Sequence, residues 1–135
     1  MPFLVVTRLR LRDTVFTDEF VSAAFAIVSQ AQSSEGNLAA DALAEANNTY
    51  WTRTVWDDHA AMRRFMIAEP HRSTMERIDD WCDEATFVNW DQTESALPDW
   101  TTAYRRLTSD GAVVDLPAAS AANAQRDFPP PLVSG

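Results

Sequence analysis

Residues 50–90 decide the fold, and they read YWTRTVWDDHAAMRRFMIAEPHRSTMERIDDWCDEATFVNW. The two ends, residues 50–56 and 85–90, are rich in aromatic and β-branched side chains, which favour strands. The middle favours a helix that breaks at Pro70, because proline cannot donate to a helix ladder but suits the first turn of a new helix. The stretch holds both histidines, the only cysteine and four of the five tryptophans, so we expect a buried site to draw on it.

Three elements are predicted on the N-terminal side. Residues 3–12 alternate between two faces with a period of two, which indicates a strand. Residues 16–32 are predicted to be helical, and residues 37–46 to form an irregular or edge strand before the turn at Asn47-Asn48. The helix carries apolar residues at spacings of three and four, which predicts one buried stripe: Phe20, Val21, Ala24, Phe25, Val28 and Ala31.

The C-terminal third has a different character. A short helix is predicted over residues 98–109, where Pro98-Asp99 begins it and Gly111 follows it. We therefore assign residues 1–110 to one domain that includes this appended helix. Residues 111–135 form an Ala- and Pro-rich tail, which cannot bury much surface on itself.

The predicted order is βαββαβ, an α+β ferredoxin-like plan with an antiparallel four-stranded sheet. Its helices cover one face of the sheet only. The other face carries Leu4, Val6 and one side of the aromatic strand, so a symmetric homodimer that packs two sheets together would bury it. The alternative is a monomeric α+β domain with a mixed outer face.

Composition excludes several classes of partner. A net charge of −9 argues against nucleic acid, whose phosphates would be repelled. No apolar run approaches the roughly 20 residues that a membrane span requires. One cysteine cannot form an internal disulfide, and the N-terminus lacks the layout of a secretion signal, so we expect a cytoplasmic protein.

Eleven residues between positions 55 and 90 form a spaced pattern: Val55, Trp56, Ala61, Met62, Phe65, His71, Met75, Trp81, Glu84, Phe87 and Trp90. This pattern resembles that of the spheroidene-monooxygenase-like and antibiotic-biosynthesis-monooxygenase-like families of the dimeric α+β barrel group. The resemblance covers roughly residues 3–91 and leaves residues 92–135 outside. It implies the fold above, a homodimer, and oxygenation without a cofactor, in which a carbanion of the substrate meets oxygen.

His71 is the candidate catalytic residue, because the group often places a histidine after this helix break. It would act as a base. In haem-binding relatives a histidine on this helix ligates iron, so an iron ligand is the other role that the resemblance implies. Capping a helix or lining a polar pocket is the alternative role. Haem-degrading relatives use Asn and Trp where this chain has Thr7 and Phe65, so that chemistry is not expected here.

The candidate ligand-binding residues are Thr7, Arg53, Trp56, Phe65 and Trp81. Aromatic rings can line a pocket for a flat apolar ligand, although most rings in a small domain must belong to the core. For Arg53, which could orient an anionic oxygen, a pair with Asp41 or Glu45 is the alternative.

No metal site is predicted, because no zinc spacing is present, and Cys82 beside Asp83 is expected to be inert. The sequence thus predicts a monooxygenase-like protein that binds a small aromatic or polyene-type ligand. The alternative is a non-catalytic homodimer that binds a ligand or haem.

Overall fold

A computed structural model describes residues 1–132, and the order of its elements matches the order predicted from the sequence. The ferredoxin-like α+β arrangement is confirmed. No helix in the described part is long and apolar enough to cross a membrane. The elements are β1 (Phe3–Leu11), α1 (Thr17–Ser33), β2 (Asn37–Glu45), β3 (Thr49–Trp56), α2 (His59–Ile67), α3 (His71–Met75), α4 (Ile78–Trp81), β4 (Cys82–Asp91), α5 (Trp100–Asp110), β5 (Ala112–Val113) and α6 (Ala121–Gln125), with a 3-10 turn at Thr14–Phe16.

The strands form one antiparallel sheet in the order β2-β3-β1-β4-β5. The prediction of four strands was short by one, because the two residues of β5 pair with Thr86 and Phe87 of β4. The edge position of β2 is confirmed, and Asn47 and Asn48 make its turn with φ of 62° and 58°. The sheet is open, with β2 and β5 at its edges. The barrel and the homodimer therefore remain predictions.

Helices α1 to α4 lie on one face of the sheet, where Phe20 and Ala31 of α1 are buried. The buried apolar stripe predicted for α1 included two residues that are exposed. Val21 is 45% exposed and Phe25 is 76% exposed, beside the edge strand β2. The inward stripe follows residues 20, 24, 27 and 31, and the helix has only one sheet to face, so the neighbouring apolar positions stay at the surface.

The opposite face of the sheet is also covered, and the prediction that helices cover one face only is wrong. Helix α5 and the following tail pack against it, so Val6 and Trp51 are fully buried. Phe128 of the tail lies in the same cluster. The predicted tail does not fold on itself; it buries Leu116 and Phe128 against the rest of the domain. The apolar face from which a homodimer was predicted is therefore occupied within one chain.

A buried polar cluster fastens the tail to this face. The Glu84 carboxylate accepts from Arg8 at 2.6 Å, from Arg10 at 3.1 Å and from the Ser120 hydroxyl at 2.8 Å. Burial alone would raise the pKa of Glu84, but the hydrogen bonds from Arg8 and Ser120 outweigh it and hold that pKa below its ordinary 4.5. Because the folded-state pKa is the lower one, the stability that Glu84 contributes is present above pH 4.5. It is lost as the pH falls through the folded-state value.

Thr86, on the same face, has a buried hydroxyl without a hydrogen-bond partner within residues 1–132. Replacing it with valine removes that polar atom and keeps the shape. We expect Thr86→Val to raise the free energy of unfolding by about 1 kcal/mol in urea titrations. The matched control is Thr49→Val, because the buried Thr49 hydroxyl donates to Asn47 O at 3.2 Å and its loss should be destabilising. A loss of stability in Thr86→Val would instead reveal a partner, such as a buried water.

Candidate functional site

A cavity of about 650 Å³ lies between the sheet and the helices α1 to α4. Alternation along β1, β3 and β4 places every second side chain on its floor. The wall is mostly apolar, and the large residues that form it are Phe20, Ile27, Met62, Phe65, Ile78 and Trp81. Such a wall suits a ligand with a flat or extended apolar body.

The floor carries a small polar patch in this apolar setting. Thr7 and Thr52 lie opposite each other on β1 and β3, and their hydroxyl groups are hydrogen-bonded to each other. Only one of the two protons is used in that bond, so the pair can still donate to a ligand oxygen. The Thr54 hydroxyl accepts from Trp56 Nε1 at 2.9 Å, and Asn89 adds an amide from β4.

His71 lies at the first position of α3 and lines the same cavity. Its Nδ1 is 3.1 Å from Met66 O, and its ring lies against Phe65 with centroids 4.7 Å apart. A carbonyl only accepts, so Nδ1 carries the proton in the neutral ring and Nε2 keeps its lone pair. Burial lowers the pKa of His71, although the bond to Met66 opposes this. His71 is therefore a neutral base near pH 7.

The alternative predicted for His71, a helix cap, fits the same geometry. Met66 O is one of the last carbonyl oxygens of α2. Such an oxygen has no hydrogen-bond partner inside its own helix. His71 satisfies that carbonyl through Nδ1. Because the cap uses only Nδ1, capping and base chemistry at Nε2 are compatible.

The structure brings together four of the predicted residues at the cavity lining: Thr7, Phe65, Trp81 and His71. Trp81 forms part of the wall and donates from Nε1 to Glu19 at 3.0 Å. Trp56 lies behind Phe65, with ring centroids 5.0 Å apart, and is fully buried in the core rather than lining the cavity.

Arg53 lies on the opposite face of the sheet. Its Nε donates to Asp41 at 2.9 Å, its Nη1 donates to Pro98 O at 2.7 Å, and its guanidinium stacks over Trp100. The predicted alternative, a cross-strand pair with Asp41, is therefore confirmed. In this position Arg53 fixes the start of α5 and cannot reach a ligand in the cavity.

Several polar lining residues were missed by the sequence analysis, among them Asn89 and Arg63. Asn89 shares the floor with Phe87 and Ala85, a placement that the period of two along β4 would have revealed. Arg63 lies one turn from His59 and Met66 on the cavity side of α2, so helical spacing would have found it.

Cys82 is not among the residues that line the cavity. Burial, with help from the charge of Asp83, raises the pKa of Cys82 to about 12, which confirms that it is inert. Within residues 1–132, no group of three or more His, Cys, Asp or Glu side chains is placed to hold a metal ion.

A family model described as "Domain of unknown function (DUF3291)" matches residues 14–120. No curated protein matches the chain significantly.

Several solved structures share the fold. Rv0793 from Mycobacterium tuberculosis is 9% identical, with a TM-score of 0.63, over 70% of this chain and 97% of that protein. SnoaB, a cofactor-independent oxygenase from Streptomyces nogalater, is 18% identical, with a TM-score of 0.57, over 69% and 94%. A putative antibiotic biosynthesis monooxygenase from Nitrosomonas europaea is 15% identical, with a TM-score of 0.61, over 67% and 89%. At such identities these similarities demonstrate a shared fold alone.

Proposed function

Because this chain belongs to the family described as a domain of unknown function (DUF3291), we propose its function from the cavity itself. The protein is a monooxygenase-like enzyme that oxygenates a small aromatic or polyene-type ligand without a cofactor. The observation that carries the proposal is His71, a neutral base at the lining of an apolar cavity of about 650 Å³. The fold is shared with SnoaB, a cofactor-independent oxygenase, which supports the same class of reaction.

The proposed reaction requires the protein to bind the substrate and to transfer one proton. His71 Nε2 removes a proton from a carbon that is activated by a ring hydroxyl or carbonyl. The Thr7–Thr52 pair donates to the ring oxygen, where negative charge grows. The resulting carbanion adds oxygen to give a peroxide anion, which takes the proton back from His71. Loss of water leaves a carbonyl, so CH₂ and O₂ become C=O and H₂O.

Exclusion of water supports this sequence of steps. The walls formed by Phe20, Phe65 and Trp81 leave few hydrogen bonds for solvent near the reacting carbon. A carbanion in such surroundings meets oxygen rather than a proton from bulk water.

Oxygen uptake with quinol-type and polyene probes tests the proposal directly. We expect one O₂ consumed per probe and one atom of labelled oxygen in the product. Thr7→Val keeps the shape of the side chain and removes the hydroxyl, so we expect kcat/KM to fall about tenfold. Thr101→Val, at an exposed position of α5 outside the cavity lining, is the matched control and should leave it unchanged. Absence of uptake with every probe would reject the oxygenase.

The second candidate is a non-catalytic homodimer that binds a ligand or haem. His71 Nε2 is an iron donor at the cavity, and Arg63, which also lines the cavity, suits an acidic group. Val21 and Phe25, exposed beside the open edge of β2, favour contact with a second copy. Hemin should then give a Soret shift that His71→Ala removes, and sedimentation should give twice 15.1 kDa.

Localisation completes the proposal. We place the protein in the cytoplasm, since its single cysteine is free and buried and needs no oxidising compartment.

A further inference from the structure

The side chain of Gln30 joins α1 to the corner where α2 ends and α3 begins. Its Nε2 donates to Phe65 O at 3.2 Å and approaches Ala68 O at 3.5 Å. Its Oε1 accepts from the backbone nitrogen of His71 at 2.9 Å. We propose that Gln30 is the positioning residue that sets the direction of His71 Nε2 into the cavity.

The partners of Gln30 are backbone groups on both sides of this corner, and Phe65 O and Ala68 O also accept from Ala68 N and Arg72 N. Phe65 O and Ala68 O belong to the end of α2, and the nitrogen of His71 belongs to the first turn of α3. All three partners are backbone atoms, so only one orientation of the Gln30 amide fits them: oxygen to the N–H and nitrogen to the carbonyls. One side chain therefore holds both sides of the corner.

His71 is consequently fixed at two points. Gln30 holds its backbone nitrogen, and Met66 O holds its Nδ1. Met66 O lies one residue beyond Phe65 O, within the same last turn of α2 that Gln30 binds. With both points tied to α1 and α2, the ring has one orientation, and its remaining nitrogen has one direction. Gln30 itself is placed to act on the reaction only through His71.

The inference rests on the proposed role of His71 as a base, but its first test needs no substrate. The chain has two histidines, so NMR titration of the ring protons follows His71 with little ambiguity. Gln30→Leu keeps the bulk and removes the three contacts. We expect its freed corner to admit water and the pKa of His71 to rise toward the ordinary 6.5. The matched control is Gln32→Leu, because Gln32 also donates to a backbone carbonyl, Ala40 O, but faces β2.

Turnover gives the second readout. With a quinol-type probe, Gln30→Leu should lower kcat about ten- to a hundredfold with KM nearly unchanged, since apolar binding is intact and only the base is displaced. The acidic limb of its pH profile, where His71 becomes protonated, should move with the NMR pKa of His71. Gln32→Leu should change neither.

A further variant separates positioning from folding. Gln30→Asn keeps an amide at this site but is one methylene too short to bridge both partners, so it should reproduce the rise in the His71 pKa. An unchanged His71 titration in both Gln30 variants would overturn the inference. If the pKa of His71 rises in the Gln30 variants while the native protein oxygenates no probe, the positioning role of Gln30 is supported and the proposed oxygenase activity is rejected.

Discussion

Replacing His71 with glutamine is expected to lower kcat for oxygenation by about two to four orders of magnitude, the range that a general base contributes. Glutamine can still donate an N–H to Met66 O, so the cap on α2 survives while the base at Nε2 is lost. The melting temperature should therefore stay close to that of the native protein. Oxygen uptake under saturating probe measures the effect.

His59 provides the matched control for this change. It is the other histidine at the cavity lining, it stacks against Phe3 with centroids 4.7 Å apart, and it lies at the start of α2. We expect His59→Gln to keep kcat within about threefold, because its ring is placed at the exposed rim. Equal losses in the two variants would mean that a change in cavity shape, rather than a base, explains both.

The pH profile gives an independent check on His71. Burial lowers its folded-state pKa below the ordinary 6.5, and the neutral ring is the active form. Activity should therefore be full above pH 6.5 and fall as the pH drops through the folded-state pKa. The stability that His71 contributes is also present above pH 6.5 and is lost as the pH falls through the folded-state pKa. The reason is that the unfolded chain takes up the proton more readily than the folded one does. An acidic limb with its midpoint above pH 6.5 would exclude His71 as the titrating group.

The sequence predicted the sheet and the helix face because their periodicity is strong. Alternation in β1 and the break at Pro70 are local signals that tertiary packing did not override. The contribution of the tail to covering the second face was missed because the tail has no regular apolar pattern. Phe128 is an isolated large residue in an Ala- and Pro-rich run, and only its contacts reveal its role.

The same reasoning explains which site residues were placed correctly. Thr7 and Phe65 face the cavity as the period of their elements requires. Arg53 falls between Thr52 and Thr54 on β3, so the parity of the strand sends it to the opposite face. Trp56 has the right parity but stands at the end of the strand, where Phe65 covers it. Facing the correct side is necessary for a place in the cavity and does not ensure one.

Replacing Val6 with aspartate is expected to destabilise the single chain by about 3–5 kcal/mol, because it buries a charge without a partner. Val6 is fully buried under α5 and the tail. Arg8, two residues along on the same face, is already paired with Glu84. Urea titration measures the loss, and Val15→Asp is the control, since Val15 is 75% exposed and the same substitution there should cost little.

The same variant distinguishes two ways of covering the sheet. If α5 and the tail cover it within one chain, Val6→Asp unfolds the protein, and the native unfolding midpoint does not depend on protein concentration. If a second copy covered it, as the sequence alone suggested, Val6→Asp would halve the sedimenting mass of a still-folded chain, and the native midpoint would rise with concentration. The packing of Trp100 and Leu107 onto Val6 and Val88 predicts the first outcome.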